Sequence, residues 1–264
     1  MQPDTFFRRR RLQSLLFFVV ILSVTYGSIV LTQFDVVRGL LAVPQAFAWA
    51  VVNFIPDERA WSRLPNILSK LQETVLVAIA SSTIAAVLGL GLALFGANTT
   101  RPHPWFSLPA RAIASVFRNI DVSVWALILL FSFGQSGFTG FFALFFVTLG
   151  FITRVMIETI DEVGVEPIEA LRATGASYGA IISQSVIPSC LPQLISWLLY
   201  MIETNIRSAT LVGILTGTGI GFLFDLYYKN SNYGYGSASL VVLVTVAAVL
   251  LIETVSNAIR RIIL

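Results

Sequence analysis

Four charged side chains sit where an apolar sequence should have none. Arg118, Asp121, Glu203 and Arg207 border or interrupt long uncharged runs, among them Val122 to Thr153 and Ser208 to Phe224. A charge near the middle of a bilayer costs about 2.5–3.5 kcal/mol on insertion scales, so each must face a partner or an aqueous path. Their chemistry is ion pairing between helices or the guidance of a charged solute, and residue type alone allows both. Asn205, Ser208 and Thr210 stand close beside Arg207 in the chain. Gly213, Gly217, Gly219 and Gly221 follow closely, too many glycines for one undisturbed helix. A broken segment lining a cavity fits them, since irregular backbone at membrane depth is tolerated only there.

A second polar constellation runs from Glu158 to Pro188, between two very apolar regions. Pro167 suits a first helical position, where its missing N–H has no partner to lose. Glu169 then complements the helix dipole and pairs at i,i+3 with Arg172. Gly175 can take the left-handed conformation that closes a helix, and Ser177 is a natural N-cap for the next one. A helix of about eight residues is marginal in water, so something must hold it. Ile168, Leu171 and Ala173 offer an apolar face, while Ala170 and Gly175 leave room for another surface to approach. The stretch reads either as a loop packed on its own protein or as a docking site.

Other chemistries are excluded by what the sequence lacks. Gly217-Thr218-Gly219-Ile220-Gly221 has no preceding strand and no following Lys-Ser/Thr, so it is not a phosphate-binding loop. A single cysteine, Cys190, and a single histidine, His103, in a Pro-flanked loop, support no metal site. No paired nucleophile and base is present for an intramembrane enzyme, and no cofactor is expected in this chain. The net charge of +3 comes without a basic stripe interleaved with aromatics, which disfavours nucleic acid.

The elements that must carry these residues are membrane helices. Of 264 residues, 56% are hydrophobic and only 12% charged, against about 25% charged in a soluble domain. The composition implies an all-α membrane protein of about six spans. Residues 1–11 form a basic cytoplasmic terminus, and 12–32 a first span of 21 residues, enough to cross a hydrocarbon core of about 30 Å. Residues 33–73 form an external loop, in which Val36 to Pro56, interrupted by Arg38 and Pro44, reads as an interfacial helix. The core domain occupies 74–264, with spans at Thr74–Ala97, Ala110–Phe133, Phe138–Ile157, from Ser189 onward, and Ser237–Ile252. Tyr227, Tyr228, Tyr233 and Tyr235 look like an outer interface belt. Ten basic residues fall on the side of both termini and five on the other, which makes the termini cytoplasmic.

Two stretches carry a family resemblance. Glu169-Ala170-Leu171, three residues, Gly175, nine residues and Ser185-Val186-Ile187-Pro188 resemble the EAA loop of ABC importer permeases. Glu203-Thr204-Asn205-Ile206-Arg207-Ser208-Ala209-Thr210, with Gly213 and Gly219-Ile220-Gly221, is similar to phosphonate ABC transporter permeases. So are Arg118-x-Ile120 and the run from Glu166 to Ala176. The chain departs from that pattern at Leu171, Ser185, Ile187, Val122 and Thr216-Gly217-Thr218. The resemblance implies an ABC importer permease fold of the bacterial inner membrane, with a cytoplasmic coupling helix at about 162–178. Glu166, Glu169, Ala170, Leu171, Arg172 and Gly175 would then meet an ATPase subunit. Arg118, Asp121, Glu203, Asn205, Arg207, Ser208 and Thr210 would line the path, and the four glycines would gate it. It further implies two ATP-binding partners carrying ATP and Mg, a second permease copy as a homodimer, an external solute-binding protein, and phosphonate or a related phosphorus oxyanion as cargo. An ABC permease for another small solute and an ion-coupled secondary transporter are the alternatives.

Overall fold

The computed structural model describes residues 3–163, 166–230 and 233–263. The chain divides into two units, Met1–Asn53 and Phe54–Leu264. In the first, α1 runs over Pro3–Leu31 and α2 over Val36–Asn53. Asp35 Oδ1 accepts from the Arg38 N–H at 2.9 Å, which starts α2. Helix α2 is long and apolar enough to cross a membrane, although Pro44 lies within it and none of its residues is buried.

In the second unit α3 covers Glu58–Trp61, α4 Leu64–Gly96, α5 Pro104–Asn119 and α6 Val122–Phe133. They are followed by α7 at Gly137–Glu162, α8 at Glu166–Ala173 and α9 at Tyr178–Ile181. A single π-turn, Ile182–Val186, leads into α10 at Ile187–Thr216. Helices α11, Gly219–Lys229, and α12, Gly234–Ile263, complete it. Across the described residues six helices are long and apolar enough to span: those at Arg9–Leu31, Val36–Asn53, Leu64–Gly96, Gly137–Glu162, Tyr178–Thr216 and Gly234–Ile263.

Several sequence-derived boundaries move. Helix α4 starts at Leu64 rather than Thr74, with Pro65 in its first turn. Lys70 and Glu73 pair at 2.7 Å one turn apart, so the charges extend this helix instead of ending it. The expected span Ala110–Phe133 is two helices bent by 95°. Ile120 is extended, and Asp121 caps α6 by accepting from the Ser123 N–H at 2.9 Å. The 12 residues of α6 reach only about 18 Å. The broken segment expected over Ser208–Phe224 narrows to Gly217–Thr218, because α10 stays helical through Thr216. The supposed coupling helix of 162–178 contracts to Glu166–Ala173, Glu162 closing α7 and residues 164–165 lying outside the described part. Nor is Tyr227 a belt residue: it is buried, 4.9 Å from the Tyr233 ring, with the Arg63 guanidinium over both.

The core is built on small residues. Ala78, Ser82, Ala85, Gly89, Ala93 and Gly96 recur every three or four positions along α4, and all are buried. Their face packs on α7, the most extensive helix contact in the unit, where Ile152, Met156 and Ile160 answer it. In lipid, where apolar attraction between helices is weak, such stripes permit close packing. At one end of this interface Asp161 accepts from the Asn98 amide at 3.0 Å and the Thr99 N–H at 3.1 Å, and lies 3.6 Å from Arg111, fixing the corner between α4 and α5.

Candidate functional site

The four glycines singled out above converge on the joint between α10 and α11. Gly217 ends α10 in the left-handed region at φ +70°, and Gly219 opens α11 at φ +62°. Helix α11 then doubles back with its backbone on that of α10. A Cβ on Gly221 would lie 1.8 Å from the Thr210 carbonyl oxygen, and one on Gly213 2.5 Å from that of Thr218. Thr218 does not cap α11, since its hydroxyl pairs with that of Thr216 at 2.9 Å. The cap comes from α4: the Ile220 N–H donates to Thr74 Oγ1 at 2.8 Å, and the Gly219 N–H to Glu73 Oε1 at 3.3 Å. A carboxylate at a helix N-terminus also complements the dipole.

Thr74→Val should therefore destabilise the protein by about 1–2 kcal/mol, the usual worth of a cap, while Thr74→Ser, which keeps the acceptor, should not. Thermal unfolding of the two variants in detergent measures this, and equal transitions would remove Thr74 from the joint.

The charged residues form two separate groups. Arg118 and Asp121 flank the α5–α6 bend, both exposed. The bend is held by contact of the Phe117–Arg118 backbone with Gly150 on α7, where a Cβ would come within 2.4 Å of the Arg118 nitrogen. Glu203, on α10, is buried and pairs with Arg207 at 3.1 Å and, across to α12, with Arg260 at 3.8 Å. Among the described residues no ion pair joins the two groups.

Asn205 is committed to the scaffold. Ser82 Oγ donates to the Ala78 carbonyl at 2.7 Å, and Thr148 Oγ1 to that of Leu144 at 2.8 Å. Both hydroxyls are left with lone pairs only, so the Asn205 amide nitrogen donates to them at 2.8 and 2.7 Å. This bond pair ties α4, α7 and α10 together. Ser208 and Thr210 are half-buried. Thr210 faces a groove shared by Arg207, Leu211, Phe224 and Thr245.

On α8 the side chains divide by face. Ile168 is buried and Leu171 half-buried against the cluster that holds Ile181, Ile182 and Val186. Glu166, Glu169, Ala170, Arg172 and Ala173 are exposed, so Ala173 does not share in the apolar anchor expected of it. The helix closes in a Schellman turn, the Ala176 N–H on the Leu171 carbonyl at 3.2 Å and the Gly175 N–H on that of Arg172 at 3.0 Å. Gly175 stands at φ +80°, and Ser177 Oγ accepts from the Ala180 N–H at 3.4 Å to start α9. A short helix is thus pinned by two side chains and presents its polar face outward.

Residues 85–264 match the family described as the inner membrane component of binding-protein-dependent transport systems. The chain belongs to this family. HtxC of Stutzerimonas stutzeri, provisionally named a phosphite transport system permease, is 32% identical over 203 residues, 77% of this chain and 71% of that protein. The phosphite transport system permease PtxC of the same organism is 27% identical over 248 residues, 94% of this chain and 87% of its own. Among solved structures, the inward-facing MetNI methionine ABC transporter superposes with a TM-score of 0.64 at 20% identity, over 75% of this chain and 96% of that one. The protein is accordingly a multi-pass inner-membrane transport component with the ABC permease fold.

Three residues of this transport component escaped the sequence reading. Glu73 and Thr74 act on a helix 146 positions away, and their only signal was an acid and a hydroxyl heading an apolar run. Arg260 was counted as a terminal topology charge.

Proposed function

We propose that the chain is the membrane half of an ATP-driven importer for phosphite, phosphonate or a related phosphorus oxyanion. Two copies would pair, each meeting one ATP-binding subunit through the exposed face of α8, with cargo handed over by an external solute-binding protein. ATP and Mg belong to those subunits. Both termini are assigned to the cytoplasm, with α2 lying on the outer surface. The observation that carries the reading is the outward polar face of Glu166, Glu169, Arg172 and the Gly175 corner, held rigid by Ile168 and Leu171. The choice of cargo follows from the phosphite permeases among its relatives and from arginines suited to multi-oxygen anions. Arg118, Asp121, Glu203, Arg207, Ser208 and Thr210 would border the path and the four glycines its gate, with Asn205 bracing the frame.

The test is reconstitution in vesicles with the co-isolated ATPase and solute-binding protein, following radiolabelled phosphite, methylphosphonate, phosphate and sulfate. ATP-dependent uptake of a phosphorus oxyanion is expected. Uptake without the ATPase would indicate ion-coupled transport, and sulfate preference would move the cargo to another oxyanion.

A further inference from the structure

Glu203 is a buried anion shared by two arginines, so the cluster keeps one positive charge in excess. Its bond to Arg207 is close, at 3.1 Å, and Arg207 is about half exposed, at 49%. The Arg260 contact is different in kind. Its Nη2 stands 3.8 Å from Glu203 Oε2, beyond hydrogen-bond distance. Its Nη1 donates to the Asn257 carboxamide at 3.3 Å. Both Nε and Nη2 are buried and donate to nothing. These two N–H groups form one edge of the guanidinium, the fork that grips two oxygens of a carboxylate or phosphate. The Arg260 side chain is 25% exposed, but this edge of it is buried, and burying such donors without a hydrogen bond is expensive unless something else binds there.

We propose that Arg260, with Arg207 beside it, is a binding station for a tetrahedral oxyanion of the phosphate or phosphite class, and that Glu203 is its built-in competitor. The carboxylate keeps the two guanidiniums apart and compensated when no anion is present. An arriving oxyanion engages the Nε/Nη2 edge of Arg260 and exchanges with Glu203 for Arg207. Because the competitor is part of the chain, occupancy stays weak, as passage requires. The inference rests on the oxyanion reading above, though the same chemistry is offered by a phospholipid headgroup at this end of α12.

The test uses the full chain in phosphatidylcholine nanodiscs, titrated with inorganic phosphate and with phosphite and followed by calorimetry and 31P NMR line width. A parallel arm replaces part of the lipid by phosphatidylglycerol. Arg260→Gln should weaken anion binding roughly tenfold or more, the worth of a hydrogen-bonded charge pair. Arg260→Lys should recover little, since an ammonium has no fork. Glu203→Gln should bind several-fold tighter, because the competitor is gone. A purely structural pair predicts the opposite, weaker or lost binding. Arg261→Gln, exposed next door, should change nothing. Arg260-dependent binding of free anion assigns the station to solute, and Arg260-dependent broadening of the phosphatidylglycerol signal alone assigns it to lipid. Binding indifferent to Arg260 in both arms, or no tightening in Glu203→Gln, overturns the proposal. A transporter that carries no phosphorus oxyanion but retains the Arg260-dependent signal would refute the cargo reading and leave the station standing.

Discussion

Gly221→Ala is expected to cost at least about 3 kcal/mol and to lower the thermal transition in detergent by roughly 10 °C. The added Cβ would fall 1.8 Å from the Thr210 carbonyl oxygen and 2.9 Å from the Ile214 nitrogen, both backbone atoms of α10. No rotamer change relieves such an overlap, so α11 must lift away as a body. Lifting it breaks the bonds of Gly219 and Ile220 to Glu73 and Thr74. It also strips Ile220 and Leu223 from the cluster they share with Ile67 and Val241. Gly91→Ala is the control: nothing lies within 4 Å of its Cβ position in mid-α4, so it should be neutral or stabilise by up to about 1 kcal/mol. Equal behaviour of the two variants would show that α11 does not lie on α10.

Gly175→Val should leave the protein inserted at normal level while cutting cargo-stimulated ATPase activity of the assembled transporter roughly tenfold. Space is not the issue here, as nothing lies within 4 Å of the Cβ position. The backbone is, because φ is +80°. Left-handed geometry costs an L residue roughly 1–2 kcal/mol, most for a β-branched one. The Schellman bonds through Leu171 and Arg172 would open, and with them the angle at which the outer face of α8 is shown. Gly175→Asn, tolerant of that conformation, should retain most of the stimulation. Normal stimulation in the valine variant would show that α8 is not where the ATPase is engaged.

What the sequence revealed depended on how local the cause was. The α8 stop at Gly175 and the cap at Ser177 follow from spacing within one or two turns, and the structure places both where spacing put them. The bend at Ile120–Asp121 was hidden by apolarity: Ala110 to Phe133 has the length of a span, and hydropathy does not register a cap. The α10–α11 joint was seen as a glycine excess but drawn too wide, because glycine count marks close approach without saying which residue turns. Glu73 on Gly219 and Arg260 near Glu203 are long-range meetings, for which one sequence carries no period. In each case the missed signal was a partner, not a residue type.

The π-turn at Ile182–Val186 lets one uninterrupted run of 39 residues reach from beside α8 to the knuckle at Gly217. At about 1.5 Å per residue that strut is roughly 58 Å long, nearly twice a bilayer's oily thickness. Rotating it 10° about its midpoint would swing each end by roughly 5 Å. Motion at one tip reaches the other without a relay of side chains only as far as the π-turn and Pro192, the two places where such a run bends, hold their angle.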